Sequence, residues 1–297
     1  MHQKVSRRRF VQVAAVAGSA LSLGQGLRSI LAPTAISPGL QLYSVRDALA
    51  KDPAGVVKSL AAMGYRKVEG YGMDTGKMFG LSVADFIKIL KDNGMKMPST
   101  HCKFTLADYD PATKSLSDKS KKTIDLAISQ GVKYVINPWL DEKERGQIDQ
   151  LIPVYRAAAE YAKKAGGKFA YHNHDFEFTK KGPDGRLLIE WVLHELDPAL
   201  VDMEMDLYWV VFAGYNPVDW FERYPGRWKL CHVKDLAATP ARETIEVGEG
   251  TIDFNAIFKH RKQAGLEHFI IELEHYRTNS VDGVNLCLKN FRKLRFG

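Results

Sequence analysis

The chain is sparing with several features that would place it at once. Its 297 residues hold three cysteines, Cys102, Cys231 and Cys287. An odd count without close spacing is no disulfide framework, so the three read as small buried apolar groups. No Gly-rich G-x-G-x-x-G follows the first strand-like run, which removes support for a dinucleotide fold. No apolar run reaches the roughly 20 residues that a bilayer-spanning helix needs. Acidic residues are missing from the first 35 positions, which carry Lys4, Arg7, Arg8, Arg9 and Arg28. The remainder has 37 basic against 35 acidic residues, so most of the formal +7 belongs to the N-terminus. Without a long Lys/Arg run beyond it, a nucleic-acid partner is not expected.

What is there begins with that N-terminus. "SRRRFVQVAAVAGSALSLGQGL" has a basic start and a short apolar stretch broken by Gly18, Ser19 and Ser22. This is the form of a secretory signal. The order Ser6-Arg7-Arg8-Arg9-Phe10 resembles the twin-arginine signal. Residues 1–35 are therefore set apart as signal and linker. The protein is expected to be exported to the periplasm, with no stable membrane span after processing. Twin-arginine export carries folded proteins, so a bound metal or cofactor becomes a reasonable expectation.

From residue 39 strand-like and helix-like segments alternate. The strand-like runs are 39–45, 66–71, 95–101, 133–139, 168–174, 200–209, 228–235 and 268–275. Between them lie helices with legible ends: Asp52 as N-cap, Pro53 in the first helical position and Gly64 at the close. Ser82 and Gly94 repeat the pattern. Eight such pairs predict a single α/β domain over residues 36–297, a (β/α)8 TIM barrel. The stretch 235–253 is too long for a minimal connection and is expected to lie over the barrel mouth.

In such a barrel the chemistry sits at the C-terminal ends of the strands. The fifth run, in "YHNHDFEF" (171–178), ends in His172 and His174, which share a face if the strand continues through them. The sixth ends in Asp206, the seventh in His232, Lys234 and Asp235, and the eighth in Glu272 and Glu274. The first four offer Tyr43, Glu69, His101 and Asn137 or Trp139. Each is ordinary alone: a histidine at a strand end is commonly a hydrogen-bonded structural group, and an aspartate before a loop is commonly a cap. Four adjacent strands ending this way are different. Converging carboxylates are costly to desolvate, and a divalent cation offsets that cost. Mixed imidazole and carboxylate donors suit Mn²⁺, Co²⁺, Zn²⁺ or Fe²⁺, with Mg²⁺ also a candidate.

The runs "GLQLYSVRDAL", "YHNHDFEF", "DLYWVVFAGYNPVDW", "HVKD" and "IIELE" together resemble the sugar phosphate isomerase/epimerase family, the xylose-isomerase-like TIM barrels. The resemblance covers residues 39 to about 292. It implies one divalent metal held by a Glu, Asp, His, Glu set from strands five to eight. Asp206, His232 and Glu272 match the last three. The fifth strand departs: His172 is the nearest match, His174 is almost as well placed, and Glu177 is a third candidate.

The resemblance further implies proton transfer next to a carbonyl of a sugar, with the metal as Lewis acid. Glu272 and a fifth-strand histidine, His174, are the expected acid and base, and Lys234 is expected to polarise an oxygen. Tyr43, His101, Trp209 and Glu177 are the expected substrate contacts, the aromatics offering a face to a pyranose ring. Export argues for a free sugar, keto-sugar or glycoside over a phosphorylated one. Elimination from 3-keto-glycosides or inosose-like substrates is the alternative, because relatives of that type also have His-rich fifth strands. A non-catalytic exported sugar-binding barrel and metal-dependent phosphodiester hydrolysis are the further rivals. A small-molecule carbohydrate is the expected partner, and a homo-oligomer is left open.

Overall fold

The computed structural model describes residues 36–296, so the segment read as an export signal lies outside the described residues. Eight parallel strands close into a barrel in chain order. They are β1 (Gly39–Gln41), β2 (Lys67–Tyr71), β3 (Lys96–His101) and β4 (Tyr134–Asn137). β5 (Lys168–His172), β6 (Val201–Asp206), β7 (Trp228–Val233) and β8 (His268–Ile271) complete the ring. β8 pairs with β1 through Gly39 and Ile270. The (β/α)8 architecture predicted from the alternation is the one observed.

The helices follow from their caps. The Asp52 side chain accepts from the Gly55 amide, Pro53 opens the helix Pro53–Met63, and Gly64 closes it at φ 107°. Ser82 likewise caps Val83–Asp92. The longest helix among the described residues, Ile148–Lys164, buries Tyr155 against the outward side of β5. The Tyr155 ring lies 6.0 Å from Phe169 and 5.7 Å from Tyr171. Burying side chains of this size contributes roughly 1.5–3 kcal/mol each.

The strands end sooner than their sequence runs suggest. β6 stops at Asp206, although Leu207, Tyr208 and Trp209 are good strand formers. The Asp206 side chain accepts from the amides of Tyr208 and Trp209 and starts the helix Leu207–Phe212. β5 stops at His172, ahead of His174.

Alternation sorts the inner residues into layers. Tyr134 of β4 and His268 of β8 come from opposite sides of the ring, yet their rings lie 5.5 Å apart. Tyr134, Ile136, Ala170, Leu230 and Ile270 form a buried cluster that fills the lower barrel. Below it Lys168 and the Tyr134 hydroxyl meet Asp202 at 2.9 and 3.2 Å, and above it a second polar layer stands at the C-terminal ends. The 235–253 excursion is organised around Asp235. That carboxylate is fully buried and accepts the amides of Leu236, Gly248, Gly250 and Ile252 at 2.8–3.1 Å. No helix among the described residues is long and apolar enough to cross a membrane.

Candidate metal centre

Two tiers of polar side chains occupy the top of the barrel. The upper tier holds Asp206, His232 and Glu272, with His172 beside them. His232 Nδ1 lies 2.9 Å from Glu272 Oε2 and 3.9 Å from Asp206 Oδ2. His172 Nε2 lies 3.8 Å from Asp206 Oδ2. Asp206 spends Oδ1 on capping its helix and leaves Oδ2 without a hydrogen-bond partner. Lys234 reaches in with Nζ 3.1 Å from Glu272 Oε2 and 3.5 Å from Asp206 Oδ2, and also pairs with Glu274. The ammonium stands 5.3 Å from the Trp209 ring and 5.5 Å from Tyr208.

The lower tier backs the upper one. Glu69 Oε1 lies 2.7 Å from His232 Nε2, and Glu204 Oε2 lies 2.9 Å from His172 Nδ1. His101 Nε2 stands 3.0 Å from both carboxylates. Gln41 Nε2 donates to Glu69 Oε1 at 2.9 Å. Each imidazole of the upper tier therefore has a carboxylate on the nitrogen turned away from the mouth. This arrangement fixes ring orientation in metal-ligating histidines.

Electrostatics follow the packing. Burial raises the Asp206 carboxyl to about 6 against the opposing pull of Lys234 and His232. Burial, aided by the charge of Glu69, lifts Glu204 to about 7. Burial works against ionised Glu69 and Glu272, but the cationic neighbours win. His101 and His232 draw Glu69 well below the carboxylate range, and Lys234 and His232 draw Glu272 down. His232 and Lys234 are correspondingly raised despite burial, by Glu204 and Glu272 respectively in the first place. Burial pushes His172 and His174 well below the imidazole range, so both stay neutral near pH 7.

The donor set suits a divalent ion. Asp206, His232 and Glu272 offer ligand atoms that all lie within 4.8 Å of one another. One of those atoms, Asp206 Oδ2, is a buried oxygen with no hydrogen bond of its own. Imidazole with carboxylate is the chemistry of Mn, Fe, Co and Zn sites. His101, His172, Glu204 and His232 meet the same distance criterion. Within that group Glu204 Oε2 already binds His101 and His172 at 3.0 and 2.9 Å, so its hydrogen bonds close it.

A cavity of about 560 Å³ opens above the upper tier. Tyr43, His101, Trp139, His172, His174, Trp209, Lys234, Glu272 and Glu274 are on its wall. His174, though beyond the end of β5, is brought against Trp139 and Trp209, with ring centroids 4.7 and 5.4 Å away. Its Nδ1 is buried and has no hydrogen-bond partner. Glu177 is not brought into the cavity wall. It is fully buried, accepting from the Tyr171 hydroxyl at 2.7 Å and the His174 amide at 2.9 Å. Its carboxylate is spent on shaping the turn that carries His174. Asn137 likewise serves a loop, accepting from the Phe104 amide at 2.9 Å.

Reading strand ends alone overlooked Glu204 and Gln41. Glu204 could have been found by period two, since it stands one pleat below Asp206 in "VDMEMD". Gln41, an uncharged residue in "GLQLY", gave no comparable signal.

Comparison with known proteins agrees with the barrel fold. Two crystal structures of sugar phosphate isomerase/epimerases from Parabacteroides distasonis ATCC 8503 are similar over nearly the whole barrel. One is 30% identical with a TM-score of 0.74, covering 89% of this chain and 96% of that one. The other is 27% identical with a TM-score of 0.75, covering 87% and 98%. An inosose dehydratase of Geobacillus kaustophilus (strain HTA426) is 26% identical over 126 residues, which is 37% of this chain. The chain spans 40% of the length of that curated relative. The profile of the xylose isomerase-like TIM barrels matches residues 57–294, most of the sequence, and the chain belongs to that family.

Proposed function

We propose that the protein is a sugar isomerase or epimerase that moves a proton next to a carbonyl, with one divalent metal held by His172, Asp206, His232 and Glu272. The observation that carries this reading is Asp206 Oδ2, a buried carboxylate oxygen without a hydrogen bond, beside His232 Nδ1 and Glu272 Oε2. A bound Mn²⁺, Co²⁺, Zn²⁺ or Fe²⁺ would supply Lewis-acid polarisation of the substrate carbonyl. The remaining roles fall to the chain. His174, neutral and on the cavity wall, accepts the proton. The Lys234 ammonium stabilises negative charge developing on oxygen. Trp209 and Tyr43 offer apolar faces to a sugar ring on the cavity wall.

A second reading is elimination rather than epimerisation, on a 3-keto-glycoside or an inosose-like cyclic ketone. A neutral histidine base on the same cavity wall as a permanent ammonium favours it, as does the likeness to an inosose dehydratase. Incubating the metal-loaded protein with keto-sugars and 3-keto-glycosides in D₂O separates the two. Deuterium entering the carbon next to the carbonyl without loss of a group supports epimerisation. Release of the leaving group, with a new double bond, supports elimination. A native protein that holds no metal, even after Mn²⁺, Co²⁺ or Zn²⁺ is added, would leave a sugar-binding barrel as the reading. We place the protein outside the cytoplasm on the strength of Ser6-Arg7-Arg8-Arg9-Phe10. Replacing Arg7, Arg8 and Arg9 by lysine should then retain it in the cytosolic fraction, and unchanged export would remove that placement.

A further inference from the structure

We propose that the cavity has a second subsite, on the Trp139 side of His174, for an uncharged sugar ring joined by a glycosidic bond to the ring that reacts. The inference rests on the sugar-enzyme reading above and extends it to the size of the substrate. Three consecutive strands, β4, β5 and β6, are followed by Trp139, His174 and Trp209. The His174 ring meets both indoles, with centroids 4.7 Å from Trp139 and 5.4 Å from Trp209. The two indoles have different company. Trp209 belongs to the metal side: its amide donates to Asp206 at 3.2 Å, and its ring lies 5.3 Å from the Lys234 ammonium. A sugar ring placed there lies beside the groups assigned to the chemistry. Trp139 stands beyond the base, on the same cavity wall, and is 38% exposed.

A single exposed apolar residue is ordinary, but Trp139 is exposed and also held. The Arg145 guanidinium lies over its ring at 4.7 Å and over Phe176 at 3.8 Å. Nε of the same arginine donates to the Leu140 carbonyl at 3.3 Å. Phe176 meets the indole nearly at right angles, with centroids 5.7 Å apart. A ring fixed in advance loses little freedom when a ligand stacks on it. Tyr43, 40% exposed, is on the wall of the same cavity. The polar side chains around Trp139 indicate the occupant. Asp74 and Asp175 are on the wall as acceptors for hydroxyls. Lys103, also on the wall, is committed to Asp141 at 2.6 Å. An aromatic face beside carboxylates suits the C–H face and hydroxyls of a pyranose, and it repels a phosphate. The cavity volume of about 560 Å³ is in the range of pockets for ligands larger than one ring.

The test is isothermal titration of the full chain incubated with Zn²⁺, as wild type, Trp139→Ala and Trp139→Phe. The probes are glucose, methyl glucoside, maltose, cellobiose, lactose, maltose phosphorylated on its second ring and nitrophenyl glucoside, with the 3-keto forms of the neutral sugars. The preferred disaccharide should bind about tenfold more tightly than the monosaccharide it contains, the size of one good aromatic contact. That ratio should fall to near one in Trp139→Ala and largely return in Trp139→Phe. Equal affinity for mono- and disaccharides in the wild type overturns the proposal whether or not the variants fold, and so does an undiminished ratio in a folded Trp139→Ala protein. Tighter binding of nitrophenyl glucoside than of any disaccharide would make the occupant an aromatic group instead. Phosphorylated maltose bound as tightly as maltose would refute the uncharged ring. Proton exchange and elimination assays on the 3-keto forms separate this proposal from the reading beneath it. A disaccharide preference without turnover would sink the enzyme reading and leave the subsite standing. Turnover without that preference would do the reverse, and neither binding nor turnover would remove both.

Discussion

Asp206 gives one carboxylate oxygen to the Tyr208 amide, 2.9 Å away, and keeps the other without a hydrogen bond. The two oxygens can be tested separately. Asp206→Asn retains an acceptor for the cap, whereas Asp206→Ala removes it, at a typical cost of about 1 kcal/mol. Both should lose the bound metal, measured by elemental analysis, and only the alanine variant should unfold at clearly lower urea. Metal retained at about one per chain in both would remove Asp206 from the ligand set.

His174 is assigned to proton transfer rather than to the ligand set. His174→Gln should lower kcat by about 10²–10⁴-fold, the usual contribution of a general base, and leave the metal content unchanged. Metal lost together with activity would move His174 into the coordination sphere.

Glu177 gives a pH dependence of stability. Burial raises its carboxyl from 4.5 to about 7 in the folded protein, against the hydrogen bonds from Tyr171 and His174. A raised folded-state pKa means that the unfolded chain releases its proton first. Its contribution is complete below about pH 4.5 and is lost progressively as pH rises toward 7. Over that window the loss is at most about 3 kcal/mol, from 1.36 kcal/mol per unit. Urea titrations at several pH values should show a flatter profile for Glu177→Gln between pH 4.5 and 7. An equal slope in both proteins would contradict the assignment.

Asp235 holds four backbone amides. Asp235→Ala would strand buried donors, at about 1–3 kcal/mol for an unsatisfied group. A loss of roughly that size or more is expected in thermal unfolding, along with faster proteolysis within 235–253. Metal content should persist, because Asp235 touches none of the upper-tier ligands.

The barrel was legible because its punctuation is local. Asp52, Pro53 and Gly64 delimit a helix whatever surrounds it, and repetition of such units implies the closed sheet. Asp206, His232 and Glu272 were legible because they stand at or just beyond the last inward positions of consecutive strands. What escaped depended on contacts across the ring. Glu69 meets His232 over a separation of 163 residues, and no pattern within one strand signals that. The end of β6 was misplaced for a related reason. The strand propensity of Leu207, Tyr208 and Trp209 gives way to a side-chain cap, a local competition in which Asp206 offers the backbone a better partner than the next strand does. Glu177 looked like ligand chemistry because its type is right, but the turn after β5 consumes both of its oxygens.

The Asp235 arrangement has a consequence for how this barrel can diversify. The excursion after β7 returns to a single carboxylate at Gly248, Gly250 and Ile252, while the Asp235–Leu236 and Thr244–Ile245 pairing closes its base. Arg242 is tied to the helix Leu207–Phe212 by the Tyr208 hydroxyl on its carbonyl and by its guanidinium on the Val211 and Phe212 carbonyls, and the exposed tip at residues 238–241 is outside those anchor points. Length and composition there can drift, or be grafted from another protein, while the ladder below and the charged tier beneath it keep their positions. The same strand end that supplies His232 and Lys234 therefore also carries a segment free to acquire a new specificity.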